Sequence, residues 1–305
     1  MKIKIAKDKI VCIYGPTASL KSVGAILLAK KINGVIINAD SMQIYKEVPI
    51  LTSQPTTKEK NLVLHKLYSI IDIDRPSSVF RWVNFATNEI NKIRKQNLHP
   101  ILVGGTGLYF FSLIYGIALI PEISPTTKKK VQDLTHAADN NKLFHLLIKY
   151  DALLASKVNV NDKVRILRGL EVAIETGKSI LEWQKHNYRF YNEDDFVNIY
   201  VCPDRDTIYN NIDTRFLKML DLGVEYEVQK ITNKYNILQL PKILGLNTIY
   251  RYISGHINYD QMILEVLKET RHYAKRQYTW FNNKMQHTHI VSTIDNLFYN
   301  KIISR

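Results

Sequence analysis

Apolar residues are spaced along the chain in two rhythms. Over the first 119 residues, short β-branched runs alternate with longer segments of helical period, the order expected of a parallel α/β sheet. Lys9 to Tyr14 reads as the first strand. A helical run follows to Lys31, closed by Asn33-Gly34, and Val35 to Asn38 forms the next strand. The polar stretch Thr52 to Lys60 reads as a loop, Tyr68 to Ile73 as a strand, and Ser77-Ser78 as the cap of a helix running to about Lys95. Pro100 to Val103 is a buried strand by its β-branched composition, and a helix then runs to about Gly116.

Strand signals stop near Pro121-Glu122-Ile123-Ser124-Pro125. From Thr126 to about Lys185 the pattern is helical, with an amphipathic run at Leu143 to Tyr150 and another from Lys163 to Thr176, ended by Gly177. Strand pattern returns at Val197 to Cys202. Helices follow through Gly223, Lys234 and Ile253, then a long one from Asp260 to about Lys284, a short strand from His289 to Ser292, and a C-terminal helix. The organisation expected is an α/β core begun by residues 1–119, a helical insertion over 120–190, and the core resumed over 191–305.

Where the first strand meets its helix, the chain reads Tyr14-Gly15-Pro16-Thr17-Ala18-Ser19-Leu20-Lys21-Ser22. A strand that breaks at glycine and restarts as a helix carrying Lys-Ser is built to cradle phosphate. Backbone N–H groups and the helix N-terminus face the anion, lysine reaches its outer oxygens, and the serine hydroxyl is a magnesium ligand. The pattern G-x-x-x-x-G-K-[ST] has glycine where this chain has Leu20, so a Cβ enters the tightest part of the loop. An ordinary Gly-Pro turn with a serine cap is the plainer alternative. Gly104-Gly105-Thr106-Gly107 forms a second glycine-rich strand-to-helix turn. In a parallel sheet both turns lie at the end where ligands bind.

Composition narrows the class. The chain has 305 residues, enough to remove roughly 75% of its unfolded surface from water. With 46% hydrophobic and 23% charged residues it reads as soluble and globular, and no apolar run approaches a membrane span. The N-terminus alternates lysine with single apolar residues, so no secretory leader is expected and the cytoplasm is the expected compartment. The two cysteines, Cys12 and Cys202, sit in strand-like runs as core thiols, and the nine histidines form no ligand spacing. A net charge of +14 fits a polyanionic partner, or simply a lysine-rich composition.

Asp40 directly follows the second strand, in Asn38-Ala39-Asp40-Ser41-Met42-Gln43-Ile44-Tyr45. A carboxylate there either caps a loop, holds a metal through water, or serves as a general base beside the phosphates. This octapeptide, together with Gly15 to Ser22, resembles the tRNA dimethylallyltransferase (tRNA isopentenyltransferase) family. Ile101 to Tyr109, Arg165 to Glu171, Arg215 to Leu220 and Thr270 to Phe281 are similar to further segments of that family in the same order, so the resemblance runs from about residue 10 to 281.

The resemblance implies a P-loop NTPase-like parallel sheet with helices on both faces and a helical insertion that binds tRNA. It implies transfer of a dimethylallyl group from dimethylallyl diphosphate to the exocyclic amine of an adenine beside the tRNA anticodon. In that reading Asp40, Thr17 and Arg215 are catalytic; Gly15, Pro16, Thr17, Ala18, Ser19, Leu20, Lys21 and Ser22 bind diphosphate; and Ser22 ligates Mg2+. Asp40, Ser41, Met42, Gln43, Thr106 and Arg165 meet the tRNA, and Arg271, Lys275 and Arg276 form a basic helical face for its phosphates. A monomer is expected. The chain departs from the family at Leu20, at Gly245-Leu246-Asn247 where the family has Gly-Tyr-Lys or similar, and at Val164 where it has glutamine. Two other functions share the phosphate loop: a small-molecule or nucleotide kinase, and a non-catalytic tRNA-binding protein.

Overall fold

The computed structural model describes residues 5–75 and 77–292; the C-terminal helix expected after Ser292 lies outside the described residues. The core is a six-stranded sheet of β1 (Ile10–Tyr14), β2 (Gly34–Asn38), β3 (His65–Lys66), β4 (His99–Gly104), β7 (Phe196–Val201) and β8 (His289–Val291). Its order is β3-β2-β4-β1-β7-β8, with every neighbouring pair parallel. Strand β4 therefore lies between β2 and β1, which brings the ends carrying Asp40, the second glycine turn and the phosphate loop side by side. Helices α1 (Lys21–Ile32), α2 (Thr57–Leu62), α3 (Val79–Lys95) and α4 (Gly107–Tyr115) belong to the first half.

Parallel strands are covered on both faces, so they read as continuous apolar runs, and β1 and β7 are buried at every residue. Val11, Ile13, Ile36, Ile101, Val103, Ile199 and Val201 form one core cluster with Ala25, Leu28 and Ala29 of α1. Glycines allow the strand ends to close up. A Cβ on Gly104 would lie 2.0 Å from the Ala39 carbonyl oxygen, and one on Gly15 would lie 2.2 Å from that of Val201.

The chain separates into two compact units, residues 1–114 with 191–305, and residues 115–190. The second unit holds β5 (Ile117–Ala118), α5 (Pro125–Thr135), α6 (Asn140–Tyr150), α7 (Ala152–Ala155), α8 (Lys163–Thr176), α9 (Ile180–Trp183) and β6 (Asn187–Tyr188). It has its own core of Val131, Leu143, Leu147, Leu154, Ile166 and Leu170, and the antiparallel pair β5 and β6 ties its two ends together. The first unit resumes with α10 (Arg205–Asp221), α11 (Val224–Lys234), α12 (Leu246–Ile253) and α13 (Tyr259–Lys284).

Two expected elements differ. Tyr68 to Ile73 is not a strand: Leu67 and Ser69 are left-handed at φ 64 and φ 53, which breaks extended backbone, and pairing to β2 falls instead on His65-Lys66. The segment retains one isolated bridge, Tyr45 to Ile71. The loop expected over Thr52 to Lys60 gives way to α2, whose start is fixed by a capping box in which Thr56 and Glu59 satisfy each other's backbone N–H groups.

Behind the ligand end, Trp82 of α3 is fully buried, stacks on Tyr109 at 4.2 Å, and donates its indole N–H to the Asn38 carbonyl at 2.9 Å. Trp82→Phe keeps an aromatic ring but strands that buried carbonyl. The variant is expected to lose about 1–3 kcal/mol of stability in urea unfolding; an unchanged midpoint would show that the bond contributes nothing.

Candidate active site

The phosphate loop owes its shape to two residues in the left-handed region. Ala18 (φ 61) and Leu20 (φ 60) both adopt αL without being glycine, a conformation that costs an L-residue roughly 1–2 kcal/mol. Neighbours over-determine Ala18, which packs with Ile208, Ile212 and Ala274 while its carbonyl accepts from the Asn211 side chain at 3.0 Å. Leu20 is supported by backbone alone, its carbonyl accepting from the Val23 and Gly24 N–H groups at 3.0 and 3.3 Å. It is the N-cap of α1 and its side chain is 54% exposed, so the leucine at the family's glycine position is a strained surface residue and not one repacked into the protein's own apolar interior.

The loop also presents what an anion needs. No side chain caps the first amides of α1, which leaves that helix end open to negative charge. The Ser19 hydroxyl is buried and has no hydrogen-bond partner among the described residues. The Lys21 ammonium donates to the Pro16 carbonyl at 3.1 Å. Burial lowers the Lys21 pKa to about 8, against the pull of Asp40 and with the push of Arg215. From α10, Arg215 donates to the Thr17 hydroxyl at 2.8 Å, and burial brings its guanidinium down to about 10 although Asp40 opposes the shift. Two cations thus face one anion-binding loop in a site that penalises their charge, an arrangement relieved when a polyanion enters.

Asp40 is held by its own strand end. The Asn38 side chain is fully buried, accepts from the Asp40 N–H at 2.9 Å and donates to the Asp40 carbonyl at 3.0 Å. The carboxylate accepts from the Met42 N–H at 2.9 Å through Oδ1, and its Oδ2 lies 3.3 Å from where a Cβ on Gly105 would stand. Burial first, and Asp40 after it, holds the Tyr109 phenol up at about 12, while burial and the same carboxylate push up Tyr68 and Tyr273. The carboxylate therefore sits among Lys21, Arg215 and three tyrosines.

A residue that the sequence reading left without a role joins these parts. Gln277 of α13 is 5% exposed; its side-chain carbonyl accepts from the Thr17 N–H at 2.7 Å and its amide donates to the Gly105 carbonyl at 2.8 Å. The Thr17 amide is consequently occupied by this chain and does not line the anion. A signal was present: the buried stripe of α13 runs Met262, Val266, Thr270, Ala274, Gln277, Phe281, and a glutamine on such a stripe needs partners. Trp280 beside it packs against Gly107, where a Cβ would come within 2.1 Å of the indole.

The residues expected to meet RNA divide. Ser41 donates its N–H to the Thr106 hydroxyl at 2.9 Å, and both line a cleft with Met42, Tyr109, Lys242 and Ile243. Met42 also borders a cleft of about 400 Å³ with His272, Tyr273 and Arg276. Gln43 spends its amide N–H groups on the Thr52 and Ser53 carbonyls, which leaves it a loop fastener. The basic trio on α13 is not one cluster: Arg271 turns to Asp213 at 2.7 Å and over Tyr209, Arg276 lies over Tyr273, and Lys275 is exposed. Arg165 and Val164 lie in the first turn of α8 in the second unit, where Arg165 pairs with Asp162 and Val164 is 72% exposed. At the third departure, Leu246 is buried and Asn247 exposed.

The family model described as IPP transferase matches residues 43–284. A tRNA dimethylallyltransferase of Ehrlichia ruminantium is 37% identical over 98% of this chain and 99% of its own length. One from Rickettsia conorii is 38% identical over 92% of this chain and 78% of its own. Among solved structures, the full-length tRNA isopentenylpyrophosphate transferase of Bacillus halodurans is similar at TM-score 0.66 and 30% identity, covering 96% of this chain and 95% of that one. A eukaryotic dimethylallyltransferase acting on tRNA is similar at TM-score 0.78 and 25% identity, covering 93% and 74%. The family-model match over residues 43–284, together with relatives so named that are 37–38% identical over more than nine-tenths of this chain, makes the chain a member of the IPP transferase family, the tRNA dimethylallyltransferases.

Proposed function

We propose that the chain transfers a dimethylallyl group from dimethylallyl diphosphate to the exocyclic amine of an adenine adjacent to the tRNA anticodon. The observation that carries this reading is the placement of Asp40 beside Gly105, one strand away from a loop where Lys21 and Arg215 await an anion. The adenine nitrogen attacks the terminal allylic carbon as the carbon–oxygen bond to diphosphate breaks, with that electron pair leaving on the diphosphate. Lys21, Arg215 and the open start of α1 meet the negative charge that develops there. The amine nitrogen, now bearing an extra proton, gives it to the Asp40 carboxylate, fixed by Asn38 and the Met42 N–H.

Magnesium fits the donors present. The Ser22 hydroxyl at the start of α1 is exposed, and a hard oxygen ligand of this kind suits an ion otherwise held by phosphate oxygens and water. When bound, it offsets charge on the diphosphate. The remaining loop residues, Gly15 to Lys21, supply the cradle.

On the RNA side, Ser41, Met42, Thr106 and Arg276 line the clefts open to a nucleotide, and an adenine must leave its stack to reach Asp40. Arg165 and Lys275 take part as edge contacts to the tRNA, joined by Gln43 through the side-chain oxygen that its Thr52 and Ser53 bonds do not use and by Arg271 from its pair with Asp213, and the +14 charge favours its backbone. We read the protein as a monomer that works in the cytoplasm. The kinase reading and the non-catalytic reading are not favoured, since the relatives are named for group transfer to tRNA.

Asp40→Asn retains an acceptor for the Met42 N–H and removes the base. Single-turnover transfer is expected to fall by about 10²–10⁴-fold with tRNA affinity kept; an unchanged rate would remove Asp40 from proton transfer. Arg215→Ala is expected to weaken diphosphate binding and slow transfer, and an effect confined to tRNA affinity would contradict its assignment.

The position of Lys21 predicts a pH dependence for donor binding. Below about pH 8 its ammonium is already charged, whereas above that value binding must first draw a proton from solvent. Donor affinity is expected to fall from pH 8 to 9.5, by up to about tenfold per unit, and Lys21→Arg to flatten that fall. Calorimetry that finds wild-type affinity constant over the window would refute the role of Lys21.

Leu20→Gly relieves the left-handed leucine without emptying a core. It is expected to raise the melting temperature, since roughly 1–2 kcal/mol of strain carried by the donor-free loop is removed, and, with no Cβ between backbone and anion, to tighten donor binding and raise transfer at subsaturating donor. Equal or weaker donor affinity would instead assign Leu20 a packing role against the bound donor.

A further inference from the structure

Gln277 is a buried polar side chain whose two hydrogen bonds both end on backbone of the candidate active site, and neither bond belongs to a helix or strand. Its side-chain oxygen receives the Thr17 N–H, and its side-chain nitrogen reaches the Gly105 carbonyl. Only one orientation of the amide serves both, because a flipped amide would set N–H against N–H and oxygen against oxygen. Thr17 is in turn the residue whose hydroxyl Arg215 holds, and Gly105 is the residue whose missing Cβ leaves room for both the Gln277 amide and the Asp40 carboxylate. A line therefore runs from Arg215 through Thr17, Gln277 and Gly105 to the edge of Asp40. The diphosphate cradle lies at one end and the base at the other.

We propose that Gln277 is a positioning residue that fixes the separation between the diphosphate cradle and Asp40. The proposal rests on the reaction described above. In that reaction the allylic carbon hangs from the cradle while the attacking nitrogen must lie within a hydrogen bond of Asp40, so the distance between the two turns is the reaction geometry. Parallel strands β1 and β4 set the turns near one another, but their pairing ends at Tyr14 and Gly104, before either turn begins. Beyond that register, Gln277 binds backbone of both turns at once. Its anchor is stiff: α13 is 26 residues long, and Ala274 and Phe281, on either side of Gln277 along the buried stripe, are 1% and 0% exposed. A misplacement near 1 Å is enough to slow a positioned reaction by about 10²-fold.

Two variants test this. Gln277→Met keeps length and volume but makes neither bond. Gln277→Glu accepts from the Thr17 N–H at any pH, but donates to the Gly105 carbonyl only when its carboxyl is protonated. The charged groups tied to that position are Asp40, whose Oδ2 also borders Gly105, and Arg215, which holds the Thr17 hydroxyl; Lys21 and Tyr273 are coupled to Asp40 in turn.

Single-turnover transfer at saturating tRNA and dimethylallyl diphosphate is expected to fall by about 10²-fold in Gln277→Met. Calorimetric affinity for inorganic diphosphate and for tRNA is expected to stay within about threefold, because the chemistry is displaced and neither cradle is dismantled. For Gln277→Glu the ratio of variant to wild-type rate is expected to climb as pH falls from 8 to 5.5, as protonation restores the second bond. A role confined to stability would lower the melting temperature of both variants and leave the rate per folded molecule, and its pH ratio, alone. Wild-type rate in folded Gln277→Met, or a pH-independent ratio in Gln277→Glu, overturns the proposal. A wild-type chain that transfers nothing overturns the function itself, which separates the two failures.

Discussion

The close approach of chain segments at the ends of four parallel strands, β1, β2, β4 and β7, is the constraint on which the site depends. The Val201 carbonyl presses on Gly15, the Ala39 carbonyl on Gly104, and the Gln277 amide with Asp40 on Gly105. Each contact occupies space that any Cβ would need, so these glycines are required by crowding and not by an unusual torsion angle. Crowding here makes a floor: at Gly15 and Gly104 backbone meets backbone with no side chain between, at Gly105 the Gln277 amide and the Asp40 carboxylate fill the space, and Lys21 and Arg215 stand beside it.

Those charged groups are mutually dependent. Lys21 and Arg215 are brought below their ordinary pKa values by loss of water, and Asp40 opposes the shift in both. The free site thus holds two cations and one carboxylate in partial balance. A diphosphate arriving at α1 changes the balance in favour of the charged lysine and arginine, so donor binding and protonation are linked. The same carboxylate stays oriented because its support is backbone and amide, Asn38 and the Met42 N–H, with Trp82 holding Asn38 from behind.

Much of this was legible in the sequence, because it follows from short local signals. The strand-glycine-helix turns at Gly15 and Gly104 and the strand-end Asp40 are contiguous, and the parallel sheet follows from alternating periods. What was not legible depends on distance along the chain. Tyr68 to Ile73 is apolar enough for a strand, but left-handed Leu67 and Ser69 are invisible to periodicity. Arg271 and Arg276 look like one basic face until Asp213, 58 residues before Arg271, claims the former. Gln277 reads as one polar letter in a helix, and its partners lie 260 and 172 residues away. Leu20 was legible as a problem and not as an answer, since only the torsion angle and exposure distinguish strain from repacking.

The discontinuity of the first unit has a consequence for how the chain comes into being. Strand β1 needs β7, which leaves the ribosome only after residues 115–190, whereas that second unit buries its own core through contacts close in sequence. Local contacts form faster than distant ones, so the helical unit is complete while β1 still waits with one edge unpaired. The site closes later still, when α13 delivers Gln277. During synthesis, then, the phosphate loop exists before it has a floor, and its separation from the second glycine turn is fixed only once α13, the last of the described helices, has folded.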